Sequence, residues 1–402
     1  MSSVVAYLSR GRLLVQSPDE SAREVESPFA RQTMERRERQ RQARGWQESS
    51  GLWGNMGMTE DNPLEAMASQ VAVRRPIRFS SLASGHNTGD LFYLLDLHGV
   101  NGLFRYNTER DEETRLMHRN DFPARDLAYH AESESLALSL PREDGTVGIV
   151  VGENDGRFLR DITLGDSLDE SAQWLPGEHR RLVFQSAGFL RDHLGYQRGL
   201  SPYRIEQADL DAEKFDVLLE DPDFDLLHPR VTDDGTLYFI RRPYRPQGHQ
   251  HRGLGTVLKD IVLYPVRFLI GVHHFFSFFS TAFGGPPLIA SGGAKRPQTP
   301  EARFIMLSGQ AIDLHKRQQK GTPESPAGLV PDDWQLVRRS TDGEETVLAE
   351  GVVHYDINGD GEILVTNGSV IRRISADGKS TRIATDQLIE RVAFVPNSNP
   401  GV

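Results

Sequence analysis

Six Asp-Gly pairs punctuate the chain, at Asp144-Gly145, Asp155-Gly156, Asp234-Gly235, Asp342-Gly343, Asp360-Gly361 and Asp377-Gly378. Each stands between runs of strand-forming residues, and Asp-Gly suits the positive-φ turns that join antiparallel strands. With the short apolar runs elsewhere, they imply a repeat of about 40–50 residues, the length of one four-stranded propeller blade. Gly and Pro, at 37 and 22 residues of 402, also exceed a background of about 12%.

The repeats can be laid out directly. Residues 75–118, 126–163, 169–220 and 353–385 each hold four strand-like runs, and a fifth set starts at Leu226 and resumes at WQLVRRSTDG. A sixth is split across the termini. LIERVAFVP near the C-terminus lacks following strands, and VVAYLSR, RLLVQS and REVES near the N-terminus lack a preceding one. Joining them closes a ring and removes exposed sheet edges. The expected fold class is therefore all-β, a six-bladed β-propeller closed by N- and C-terminal strands. Residues 1–402 would form a single propeller, with insertions at 28–72 and 243–333. A β-sandwich or two stacked sheets is the alternative.

The segments LLHPRVTDDGTLYFIRRPY and DESAQWLPGEHRRLVFQSA resemble repeats of the TolB-like propeller family. There, an inner strand ends in a Pro/Asp/Gly turn that leads into an apolar second strand. The resemblance implies a propeller and says far less about function. The usual Ser-Pro-Asp-Gly turn is reduced here to Leu175-Pro176-Gly177 and to Thr232-Asp233-Asp234-Gly235.

The first insertion opens with FARQTMERRERQRQARGWQ, rich in helix formers. It carries Arg31, Arg36, Arg37, Arg39, Arg41 and Arg44 against Glu35 and Glu38, but only a weak apolar stripe. A solvated helix and a contact to an acidic partner or anionic lipid are both open. The second insertion centres on IVLYPVRFLIGVHHFFSFFSTAF, which Pro265 and Arg267 cut below the usual length of a membrane span. From Arg241 to Lys320 twelve Lys and Arg face three acids, a net of +9 in a chain of −11, so the remainder carries −20. A cationic aromatic arm on an acidic ring fits an interfacial anchor, with apolar side chains at the acyl boundary and cations at headgroups. The expected contact residues are Arg252, Lys259, Arg267, Phe268, Leu269, Phe275, Phe276, Phe278, Phe279 and Phe283. Packing on the propeller itself or a homo-oligomer seam remains open.

Other chemistry is sparse. There is no cysteine, so disulfides, thiolate metal sites and cysteine nucleophiles are excluded. No Gly-x-Ser-x-Gly elbow, Walker loop or dinucleotide fingerprint occurs. The net charge argues against nucleic acid as a partner. Asp356, Asn358 and Asp360 precede Gly361 as in the first half of a calcium loop, but Asn367 stands where the bidentate Glu belongs. A hairpin turn accounts for the same residues, and no other cofactor is implied. His249, His251, His273 and His274 are poorly spaced for one metal but would add charge to the arm at low pH. The N-terminus lacks a basic region followed by a long apolar run, so the expectation is a cytoplasmic protein peripheral to the inner membrane face. The functional expectation is a non-enzymatic interaction platform, docked on a membrane surface or membrane-bound partner through the second insertion. The alternatives are a metal-dependent hydrolase or lyase with its site in the central channel, and a structural homo-oligomer.

Overall fold

In the computed structural model of the chain, the described residues are 4–18, 20–50, 77–97, 100–120, 122–246, 304–307, 310–313 and 327–396. The Asp-Gly turns form as their chemistry dictates. All six glycines have positive φ, from +74° at Gly361 to +91° at Gly343, a region open to glycine without the usual Cβ penalty.

The strands form antiparallel meanders. The closing sheet has the order Ile389–Phe394, Val5–Ser9, Arg12–Gln16, Arg23–Glu24. Next come Arg78–Ser84, Asp90–Asp96, Val100–Asn107 and Glu112–Asn120. Leu127–His130, Ser135–Pro141, Val147–Glu153 and Arg160–Asp161 follow, and then Ser167–Trp174, Arg181–Arg191, Arg204–Asp209 and Lys214–Leu219. These last two sets, with Gln197–Leu200, form one nine-stranded sheet, joined only by the parallel pairing Val147↔Leu168. The circuit ends with Phe224–Val231, Leu237–Pro243, Gln335–Arg339 and Glu345–Glu350, then His354–Ile357, Ile363–Thr366, Val370–Ile374 and Ser380–Thr385. A count of six blades requires dividing the nine-stranded sheet at its single bridge. The fold class is an all-β propeller.

The termini close it as the split set of strands requires. Val5 to Ser9 pair with Phe394 to Ile389, with a register shift at Leu8/Ser9. Alternate side chains of this N-terminal strand serve two cores. Ala6 and Leu8 pack with Phe79, Tyr93 and Phe104 on one side, while Val5 and Tyr7 pack with Leu364, Ile371 and Val392 on the other. Period-two alternation thus fills both inter-blade layers from a single strand.

The topology also sorts the connections between two ends of the ring. Within each meander, the first-to-second and third-to-fourth turns lie at one end. The second-to-third turn and the crossing to the next meander lie at the other. Five of the six Asp-Gly pairs occupy the first end; Asp144-Gly145 does not. The helix Pro28–Ser50 belongs to a crossing, and the long insertion follows Leu237–Pro243 and precedes Gln335–Arg339, a second-to-third connection. Both insertions therefore leave the ring from the same end. The second also holds two short paired strands, Phe304–Leu307 and Gln310–Asp313, which the sequence pattern did not indicate.

Candidate functional site

Two places combine polar chemistry with an exposed or axial position. The first is the ring axis. Apart from the single Val147↔Leu168 bridge, inner strands pair on one side only, so polar side chains help to satisfy their other edge. Asp126 accepts a hydrogen bond from the Ser171 backbone N–H at 3.1 Å and forms an ion pair with Arg391. Asp356 accepts from the Phe394 N–H at 2.7 Å and pairs with Arg230 at 2.8 Å. His354 Nδ1 accepts from the Val392 N–H at 3.3 Å. Gln185 Oε1 accepts from the His228 N–H at 2.8 Å, and the Tyr355 hydroxyl donates to the His228 carbonyl at 2.6 Å. Glu170 accepts from the Tyr203 hydroxyl at 3.1 Å and lies 3.6 Å from Arg125. Arg78 and Glu390 pair at 2.7 Å. Each contact ties one inner strand to another part of the ring.

Burial sets the protonation of this cluster. It pushes His228 down to about 4, with Arg391 as the next cause, and holds His354 well below the usual imidazole range. The two rings meet edge-on at 5.2 Å. Burial also raises Asp356 and Glu170, the latter helped by the charge of Asp126. For Asp126 burial acts upward, but Arg391, His228 and the hydrogen bonds outweigh it and hold the carboxyl below its ordinary value. The named carboxylates are thus already engaged by arginines, hydroxyls or backbone N–H groups, an arrangement that clamps strands together. Among the described residues no group of three or more His, Asp or Glu is placed to hold a metal. A cleft of about 290 Å³ is lined by Arg78, Ser80, Asn101, Phe122 and Arg125 among others.

The partial calcium motif has other work. Asp356 is buried and faces Arg230 and Phe394, as above. Asn358 Oδ1 accepts from the N–H groups of Asp360 and Glu362, at 3.1 and 2.9 Å, while its amide donates to Glu362. That is a side-chain-capped turn between His354–Ile357 and Ile363–Thr366.

The second place is the insertion-bearing end. Ser27 caps the helix Pro28–Ser50, accepting from the Ala30 N–H at 3.1 Å, and Pro28 sits in the first turn where its missing N–H costs nothing. Phe29 wedges between Phe104 and His118, with centroids at 5.3 and 5.7 Å and the Arg115 guanidinium over its ring. Its N–H donates to Glu113. Arg37 donates to the Leu97 carbonyl at 2.6 Å, so this arginine braces the helix against the ring. Arg36 and Arg39 are exposed, and Arg41 and Arg44 lie further along the same helix. At the root of the long insertion, Arg245 meets Asp333 at 3.3 Å and draws the two stems together. Arg252, Lys259, Arg267, Phe268, Leu269, Phe275, Phe276, Phe278, Phe279 and Phe283 lie outside the described residues. Among the described residues no helix is long and apolar enough to cross a membrane.

The axial set escaped sequence reasoning apart from Asp356, which was singled out for another chemistry. Its signal was a polar residue placed in each first strand, as in DLAYH, DESAQW, LLHPRV and HYDI.

This geometry defines a propeller, and comparison with solved structures places it among TolB-like folds. TolB from Acinetobacter baumannii is similar over 98% of this chain and 67% of its own, with a TM-score of 0.51 and 10% identity. A chain of the nidogen/laminin complex aligns over 98% of this chain and 99% of its own, with a TM-score of 0.49 and 8% identity. A putative TolB from Agrobacterium tumefaciens aligns over 80% and 92%, at 0.42 and 12%. No family model matches the chain, and no curated protein matches it in sequence. At such identities the likeness is one of fold: the chain is a TolB-like β-propeller.

Proposed function

We propose that this propeller is a non-enzymatic interaction platform, docked on a membrane surface or a protein held there through the basic aromatic insertion. The observation that carries the reading is the common end from which both insertions leave. The Arg-rich helix and the stems of the +9 segment leave from the same end of an otherwise acidic ring. Such a rim meets an anionic surface with cations first, at about 1 kcal/mol per Lys or Arg close to the headgroups. The opposite end, with its short Asp-Gly turns, stays free for protein partners. The axial carboxylates, spent on inter-strand contacts, favour this reading over channel catalysis.

The test is deletion of residues 248–293 in the full chain. Membrane fractionation should move the truncated protein to the soluble pool, while its melting temperature stays that of the full chain. Co-sedimentation with phosphatidylglycerol vesicles then separates lipid from protein as the docking surface. Retention of the truncated chain on membranes at the level of the full chain would end the proposal.

A further inference from the structure

The cleft of about 290 Å³ lies where three elements meet at the insertion-bearing end. Arg78 and Ser80 open an inner strand, Leu94 and Leu95 come near the end of the second strand, and Phe122 to Arg125 cross to the next meander. Its volume is at the lower end for small-molecule sites, whose walls are mostly apolar with a few placed polar groups.

The wall is apolar and held in place. Leu94, Leu95, Phe122 and Ala124 are buried. The Asn101 amide donates to the Phe122 carbonyl at 2.7 Å, and the Arg125 N–H donates to the Ser139 carbonyl at 3.0 Å. The crossing segment is thus tied at both ends.

Its polar groups have capacity to spare. The Arg125 side chain is 60% exposed and makes no hydrogen bond among the described residues. Its carboxylate neighbour Glu170 is 3.6 Å away, and burial together with the charge of Asp126 raises Glu170 toward its neutral form. Ser80 is the extra residue of a bulge, where the register shifts between Phe79 and Ser81. Bulges re-aim side chains, and the Ser80 hydroxyl has no partner among the described residues. Arg78 is positioned from two sides. It donates to Glu390 at 2.7 Å, and its stem lies on Gly11, where a Cβ would come within 2.6 Å of the Arg78 Cγ. Asp96 also lines the cleft and is itself engaged.

The charges leave one cation over. Glu390 answers Arg78, whereas Arg125 is matched only loosely. A guanidinium with free N–H groups takes the two oxygens of a carboxylate in parallel. A dianionic phosphate would bring a second charge toward Asp96 and has no apolar part for the wall.

We propose that this cleft binds a small organic carboxylate, its oxygens on Arg125 and Ser80 beside Arg78 and its hydrocarbon part on Leu94, Leu95 and Phe122. For a ligand of about nine non-hydrogen atoms the expected Kd is about 1 mM or tighter. The site stands independently of the membrane contact, since it needs none of the residues of the long insertion.

Isothermal titration of the full chain tests it, with benzoate and hexanoate as probes. Benzyl alcohol and hexanol serve as their uncharged counterparts, and inorganic phosphate as a bare oxyanion. At least one of the two acids should bind saturably, and the alcohols and phosphate about tenfold more weakly or worse. Arg125→Gln should weaken the acid about tenfold, with an unchanged melting temperature in the absence of ligand. Ser80→Ala alters no ion pair and should weaken it about fivefold, which gives a second reading should Arg125→Gln disturb the fold. The chain lacking residues 248–293 should bind as the full chain does. Four results overturn the proposal. They are no saturable binding by either acid, phosphate binding as tightly as the acids, full affinity in both variants, and loss of binding when residues 248–293 are removed.

Discussion

The axis and the hairpin of Arg181–Arg191 with Gln197–Leu200 both rely on arginine–carboxylate pairs, yet to opposite ends. At the axis, Arg391–Asp126 and Arg230–Asp356 are largely buried and join strands far apart in sequence. In the hairpin, Arg191–Asp166 is about half exposed and the Arg198 side of Arg198–Asp192 is open to solvent, and both pairs brace a loop whose apolar side chains are exposed. Buried pairs matter mainly through what is left behind when one member is removed, whereas exposed pairs contribute little to stability. The difference teaches where to look for function. The axis keeps the ring shut, and the insertion-bearing end presents surfaces.

The comparison breaks most readily at the axis. Asp126→Ala leaves the Arg391 guanidinium without its carboxylate and should cost about 3–5 kcal/mol in urea unfolding. A loss below about 1 kcal/mol would place the pair with the hairpin's.

The next largest effect is pH dependence. His228, at about 4 in the fold against 6.5 ordinarily, takes its proton in the unfolded chain first as pH falls. Its contribution is therefore full above pH 6.5 and is lost as pH drops toward 4, by on the order of 3 kcal/mol. Arg391, Arg230 and Arg242 disfavour the protonated ring, and Asp126 favours it. Asp356 and Glu170, both raised, act with the opposite sign, so the readout is the difference between wild type and His228→Asn. Asn tolerates the positive φ of 51° at this position. Melting temperatures at pH 7.5 and 5 should differ less for the variant than for wild type.

Smaller still is the anchoring of the basic helix. Phe29→Ala removes a half-buried ring and should cost about 1–2 kcal/mol, with trypsin cutting after Arg31, Arg36 and Arg39 appreciably faster. The least effect belongs to the hairpin tip. Leu194→Ser and Tyr196→Ser should change stability by less than about 0.5 kcal/mol, as exposed positions do.

Much of the fold was legible because its punctuation is local. Asp-Gly and apolar alternation act within a few residues, so strand limits and the terminal closure could be read without any tertiary knowledge. The axial cluster could not. Asp126 and Arg391 meet only because the ring closes, and a lone Asp ahead of LAYH looks like an ordinary strand start. Asp356 was visible but suggested a cation, since spacing alone cannot reveal that Arg230 from another strand already faces it. The hairpin was hidden differently. GYQRGL has little strand character, and its pairing follows from the unusual length of Arg181–Arg191. The basic helix was legible from composition, whereas the bracing role of Arg37 depends on where Leu97 lies.

Hydrogen–deuterium exchange of the full chain, with and without phosphatidylglycerol vesicles, compares the two ends most directly. The account predicts new protection confined to the insertion-bearing end, within residues 28–50 and 241–333, with the Asp-Gly turns at the other end unchanged. Protection at Asp234-Gly235, Asp360-Gly361 and Asp377-Gly378 instead, or no change at either end, would contradict it.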